Sequence, residues 1–410
     1  MSAVIPSGFS VGAPLPVAPR AAAPVAACGP GRRFEARLHR SLDTAAPAWQ
    51  SMQTGGLCTV YQRLDWVQCM METLLPQPDT QPLIVEIRDP ETRKALMLLP
   101  FALMRRGVYS ELSWLNLDVC DYAAPVLARD FAPGPEECRV IWKAALGVLP
   151  SADLLHIRQI PLRLQGMANP LAQVPGLRQT EVQCFGMALE GDPETLLKRV
   201  CSPGTVKTIG RRTRKLEAEG AVRLTVASDA AEVDELFKAM VALRRDRFGE
   251  IGRFDLLDRP EIEAFYLAAA RRGLQGGPAR LFGLSVGGVW IAVQLAFVHD
   301  HAIHCVIIGI SNEWRNHSPG IKLMSEIMIW ARRQGLTFFD LSVGDLSYKV
   351  TLGAQAQQLH EIAEALTLRG ELVVKLRRLS AASKARLQRH PKLFAALQRA
   401  RQALRRAKAP

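Results

Sequence analysis

Between Asp340 and Lys349 two carboxylates, a phenol and an ammonium fall within ten residues: Asp340 and Asp345, then Tyr348 and Lys349. Asp340 closes an apolar run, Gly344-Asp345 makes a turn, and Tyr348 and Lys349 follow just beyond it. Groups of these types at a strand end can deprotonate a nucleophile, polarise a carbonyl and hold an anion. Upstream, the polar stretch Ser311 to His317 leads into Ser318-Pro319-Gly320, the start of a helix. Orphan backbone N–H groups at such a start can receive a diphosphate. Arg315, Ser318, Pro319, Gly320, Ile321 and Lys322 are the candidate donor-binding residues there, and His317 is a candidate acid–base group.

Other chemistry-bearing residues are weighed against plainer roles. His299, His301 and His304 lie on and beside a hairpin, and a metal site would need their rings to converge, so no metal is expected. Cys305 lies within an apolar strand and reads as an inert buried thiol. The basic run Lys207, Arg211, Arg212, Arg214 and Lys215 offers contacts to a phosphate, a sugar phosphate or nucleic acid, or a solvated helix face. A nucleophile elbow of the form GxSxG is absent, which leaves hydrolase chemistry without local support.

The elements that must position these residues are legible in outline. Leu281 to Val286 and Val289 to Val298 flank Gly287-Gly288, the clearest hairpin signal in the chain. His301 to Ile310 follows as a third strand. A helix then runs from Ser318-Pro319 to Arg333, with Ile321, Met324, Met328 and Ala331 on one stripe and Gly335 ending it. Thr337 to Leu341 is the next strand. Earlier, helices are expected at Tyr61 to Leu75 (ended by Pro76 and Pro78), Glu137 to Leu149, Asp192-Pro193 through Arg199, Ser202-Pro203 to Gly220, Glu232 to Phe248 and Pro260 to Arg272. Strands are expected at Pro82 to Ile87, Ala95 to Leu103, Tyr109 to Leu115, Leu154 to Ile160, Thr180 to Leu189 and Val222 to Val226. Pro161 to Arg178 reads as a connection or substrate loop.

The 410 residues suffice for two domains with substantial cores. Eight cysteines at irregular spacings suit a reduced, cytoplasmic compartment. Residues 1–40 read as a flexible leader, and no apolar run approaches the length of a membrane span. The net charge is +13, but residues 371–410 hold twelve Lys or Arg against the single Glu371, which leaves the body nearly neutral. This basic, leucine-bearing tail suits an anionic membrane, so that the protein sits at the inner face of the membrane, or contact with a biosynthetic complex, and it equally suits a packed terminal helix with a solvated basic face.

The order Ser318-Pro319-Gly320, an amphipathic helix with Trp330-Ala331, a terminal Gly335 and then FDLSVGDLSYKVTLGA (Phe339 to Ala354) resembles the GNAT-superfamily domain of cellulose- or exopolysaccharide-biosynthesis acetyltransferases, the CelD-like group. That group is similar to the two-lobed Fem aminoacyltransferases of peptidoglycan synthesis. Lys207 to Gly220 resembles the basic helix before the family's catalytic lobe, and Asp121-Tyr122 with Pro125 resembles a short feature of its first lobe. The resemblance implies an α/β (α+β) fold of two tandem GNAT-like lobes, each a mixed, mostly antiparallel sheet flanked by helices. The lobes would be 41–190 and 191–370, with 191–275 a helical lead-in to the catalytic lobe and 371–410 a basic tail. It further implies an acyl-CoA-dependent N- or O-acyltransferase using acetyl-CoA or another acyl-CoA, with no metal, acting on a saccharide or a small amine or hydroxyl acceptor. Asp345, Tyr348, Lys349, Asp340 and His317 are then the catalytic candidates, and Asp121, Tyr122, Arg211 and Arg214 the acceptor-binding ones. The alternatives are a Fem-like transferase taking its donor from aminoacyl-tRNA, which alone would bring in nucleic acid, and a non-catalytic accessory protein of polysaccharide synthesis.

Overall fold

The structure, a computed structural model, describes residues 33–75, 79–252, 254–344 and 347–388. The leader up to residue 32, Pro76 and Pro78, Asp345 and the tail beyond 388 lie outside the described residues.

The first half of the chain runs β1 (Glu35–His39), α1 (Leu42–Gly55), α2 (Leu64–Leu74), β2 (Thr80–Arg88), β3 (Ala95–Arg106), β4 (Tyr109–Trp114), β5 (Val126–Leu127), α3 (Pro135–Val148), β6 (Leu154–Ile160), β7 (Arg163–Leu164), β8 (Met167–Ala168) and β9 (Leu177–Ala188). The second half runs α4 (Leu196–Val200), α5 (Pro203–Glu219), β10 (Val222–Val226), α6 (Ala230–Glu250), α7 (Pro260–Gly273), β11 (Ala279–Val286), β12 (Val289–His299), β13 (Ala302–Ile310), α8 (Pro319–Arg333), β14 (Phe338–Val343), α9 (Ser347–Thr351), β15 (Gln355–Ala365) and α10 (Leu368–Gln388). Each half follows the same plan. An edge strand and two helices lead into an antiparallel three-strand meander, then a helix and a strand that returns parallel to the meander's last strand. The returning pairs are β4 with β6 and β13 with β14.

One sheet runs through both halves in the order β1-β2-β3-β4-β6-β15-β9-β14-β13-β12-β11-β10. Its centre is a reciprocal exchange. β9, the last strand of the first half, pairs with β14 of the second, while β15, the last strand of the second half, pairs with β6 of the first. β9 and β15 also pair antiparallel with each other.

Local chemistry accounts for the elements around the site. Gly287 and Gly288 adopt φ of 56° and 87°, the two positive angles that a tight β11–β12 turn requires. α8 buries Leu323, Met324, Ile327, Met328 and Ala331 against the sheet, and Gly335 ends it at φ 80°. α5 begins at Ser202, whose hydroxyl accepts from the Thr205 N–H at 3.2 Å. The other start signals behave differently. Ser318 precedes α8 in a left-handed conformation and its side chain makes no cap, and the helix expected from Asp192-Pro193 is only the short α4. Within the expected loop Pro161 to Arg178, residues 163–168 form the β7–β8 hairpin and β9 begins at Leu177.

Candidate active site

β13 and β14 stay paired for three residues only, Ala302 to His304 against Phe338 to Asp340. Beyond that point β13 continues along β12 and β14 continues along β9, so the two strands part. His304 and Asp340 are the last pair before the parting. His304 Nδ1 lies 2.7 Å from Asp340 Oδ2. A carboxylate only accepts, so Nδ1 carries the proton and a neutral ring keeps its Nε2 lone pair.

Asp340 is buried and fully engaged. The Tyr122 hydroxyl donates to both its oxygens at 2.9 and 2.8 Å, and the Ser342 N–H donates to Oδ1 at 2.7 Å. Tyr122 comes from the first half of the chain, so both lobes build the centre. Beside it, the Tyr61 hydroxyl donates to Asp121 Oδ2 at 3.0 Å, and the Tyr61 ring stands edge-on to Tyr122 and His304. Burial, with the Asp340 charge added, pushes the Asp121 carboxyl up, against the hydrogen bond from Tyr61. Burial likewise holds the Tyr61 and Tyr122 phenols well above their ordinary range.

Ser342 takes φ of 59° and makes a bulge in β14, with the register to β9 shifting between Asp340 and Val343. Lys349 secures the bulge. Its buried ammonium donates to the Ser342 and Val343 carbonyls at 3.1 and 3.0 Å and lies 5.3 Å from the centre of the Phe185 ring. Burial lowers its pKa, against the pull of Asp340 and Asp121. These contacts make Lys349 a group that shapes the strand.

A cavity of about 550 Å³ opens on the same residues, with Tyr122, His304 and Asp340 in its wall and Gln165, Asp300 and Gln357 farther out. Cys58 and Cys184 also line it, and burial pushes both thiols up to about 12, which leaves them protonated and unreactive.

The start of α8 supplies a second feature. Arg212 of α5 donates to the Asn316 carbonyl at 3.0 Å and to the Ser318 hydroxyl, while its Nε and the Nδ1 of His317 have no partner. Unsatisfied donors beside a helix N-terminus suit a phosphate.

A family model for the acetyltransferase (GNAT) domain matches residues 204–350. Those residues are a GNAT acetyltransferase domain. Comparison with curated proteins gives no match. Among solved structures, FemX is similar to the chain at 12% identity, over 83% of this chain and 99% of its own, with a TM-score of 0.57. A conserved protein of unknown function from Bacteroides thetaiotaomicron VPI-5482 shares 10% identity over 80% and 99% of the two chains, with a TM-score of 0.50. A tandem GNAT protein from the clavulanic acid biosynthesis pathway shares 10% over 81% and 98%, with a TM-score of 0.44. The likeness to FemX shows a fold held in common along the chain.

The GNAT domain brings Asp340 and Lys349 to the centre, where the first lobe adds Asp121 and Tyr122. Tyr348 is half-buried on α9 against the α8 core, its phenol pushed up to about 12 by burial. Asp345 lies outside the described residues. His317 packs on Trp314 at 5.4 Å beside α8. Of the donor-site candidates, Pro319 is buried at the first helical position, Gly320 packs tightly on Ile310, and Ile321 joins the core. Arg315 pairs with Glu250 at 3.2 Å, and Lys322 pairs with Glu326. Arg211 and Arg214 stay exposed on α5, which packs on α8, α4 and β11, whereas Asp121 and Tyr122 join the central cluster. His304 is the addition to the catalytic candidates, and Arg212 is the member of the basic run that reaches the start of α8. Nothing local in the sequence ties His304 to Asp340, because strand register alone joins them.

Among the described residues no group of three or more His, Cys, Asp or Glu is placed to hold a metal ion, and no helix is long and apolar enough to cross a membrane.

Proposed function

We propose that the chain is an acyl-CoA-dependent N- or O-acyltransferase whose acceptor, a saccharide or a small amine or alcohol, enters the cavity over His304. The observation that carries this reading is the His304–Asp340–Tyr122 cluster at the parting of β13 and β14 inside a GNAT domain. Asp340 fixes the imidazole tautomer and steadies the positive charge that develops as His304 Nε2 takes the acceptor's proton. Tyr122 and the Ser342 N–H hold the carboxylate in place. Tyr348, its phenol neutral at physiological pH, is the candidate proton donor to the departing thiolate. The donor's diphosphate is assigned to the start of α8, where Arg212, Ser318 and the Gly320 N–H would hold it, the Ile321 and Lys322 N–H groups being bonded to the Ser318 carbonyl. Acyl-CoA supplies the activated thioester; the chain supplies binding, orientation and the route of the proton.

Calorimetric titration with acetyl-CoA, desulfo-CoA and a long-chain acyl-CoA tests the donor. Saturable binding that Arg212→Ala weakens is the expected result, and silence with all three sinks the CoA reading in favour of an aminoacyl-tRNA donor or an accessory role. With an acceptor found by screening, His304→Gln is expected to lower kcat by about 10²–10⁴-fold while donor affinity stays within about twofold of wild type. An unchanged kcat removes His304 from the mechanism.

A further inference from the structure

We infer that the outward face of α10 is a docking surface for an anionic lipid bilayer. Among the described residues α10 rests on the body by one side. Gly370 lies so close to the Asp153 carbonyl that an added Cβ would meet its oxygen at 1.8 Å, and Arg377 reaches to Tyr109 and Glu111 at 2.8 and 2.6 Å. At 100° per residue Gly370 and Arg377 share a face, whereas Leu368, Leu372, Leu376 and Leu379 fall within an arc of about 80° on the other side. Those leucines are 84%, 59%, 56% and 64% exposed. A helix whose apolar stripe served the core would turn it inward; this one turns four leucines out.

Charge decides what covers them. From Glu371 to the end of the chain there are twelve Lys or Arg and one acidic residue. A second copy of the helix, or the chain's own last residues folded back on it, would set basic side chains against basic side chains. An anionic bilayer is complementary on both counts. Leucines enter the boundary between headgroups and acyl chains, while lysine and arginine stems run along the apolar layer and leave their charges among the phosphates.

The test is sedimentation of the full chain with vesicles of phosphatidylcholine alone and of phosphatidylcholine mixed with phosphatidylglycerol. Partition into the mixed vesicles is expected to be about tenfold stronger or more and to weaken with added salt. The variant Leu372→Ser/Leu376→Ser/Leu379→Ser should lose about tenfold or more of that partition while melting at the wild-type temperature, because the replaced side chains are solvated in the free protein. Lys375→Glu, with every leucine intact, is expected to weaken binding to the mixed vesicles only. Equal binding to both vesicle types, full binding by the serine variant, or no binding at all overturns the proposal. So does a wild-type dimer that the serine variant turns into a monomer.

Discussion

A carboxylate as enclosed as Asp340 needs donors in place of the water it has lost, and His304, Tyr122 and the Ser342 N–H are those donors. Removing one should be felt twice. Tyr122→Phe deletes the donor to both oxygens and is expected to cost about 1–3 kcal/mol of stability, read from urea unfolding. In the same variant kcat should fall while donor affinity holds, because the loosened carboxylate orients His304 less well. A variant that loses stability but keeps kcat would make Tyr122 purely structural. The sequence showed the kinds of residue here better than their company. Asp340, Tyr348 and Lys349 stand together in one run and can be picked out by type. His304 stands 36 residues from Asp340 and Tyr122 stands 218 residues away, and only strand register and lobe packing bring them into contact. Lys349 has the type of an anion holder, yet burial beside two carbonyls makes it a brace.

At the scale of elements, the junction of α10 with the first lobe is built on charge. Burial alone would raise the Glu111 carboxyl, but hydrogen bonds from His156 and Arg377 overcome it and bring the pKa down to about 2, from an ordinary value of 4.5. A pKa lowered on folding contributes stability in full above about 4.5, and the contribution is lost as the pH falls towards 2. His156 has the opposite sign. Burial opposes its protonation, its bonds to Glu111 and Glu361 win, and its contribution is complete below 6.5 and lost as the pH rises through the raised value. Thermal melts between pH 7 and pH 2 should therefore show Glu111→Gln melting below wild type at pH 5, with the gap closing towards pH 2. Parallel curves at all pH values would place the effect elsewhere. Helices and strands with a strong period were legible throughout: α8, the glycine hairpin and the returning β14 are read directly from apolar spacing. β15 was not, because Gln355 to Ala365 is mostly polar and half-buried and its pairing partners lie far back in the chain. β1 and α1 were likewise not read, although Ser41 and Asp43 mark the start of α1.

For the whole molecule, the exchange of β9 and β15 ties the two lobes into one sheet. Neither half can complete its hydrogen-bonded ladder alone, so the protein is expected to unfold in a single transition with equal calorimetric and van't Hoff enthalpies. Two resolved transitions in a calorimeter would mean that the lobes hold themselves together without the exchange. The shared centre follows from the same tie, since Asp121 and Tyr122 are held against His304 and Asp340 by a continuous sheet and not by a mobile interface. Two lobes were legible in the sequence as a resemblance, whereas the exchange between them was not, because a strand carries no local mark of which neighbour it will join.

The strand that completes the first lobe is made long after the rest of that lobe. The edge of β6 that β15 covers is bare when β9 leaves the ribosome, and at ~5–20 residues per second the missing strand follows some ~10–35 s later. For that interval the nascent chain carries an open edge of the kind that recruits other strands. The length of that exposure is set by the order in which the strands are translated.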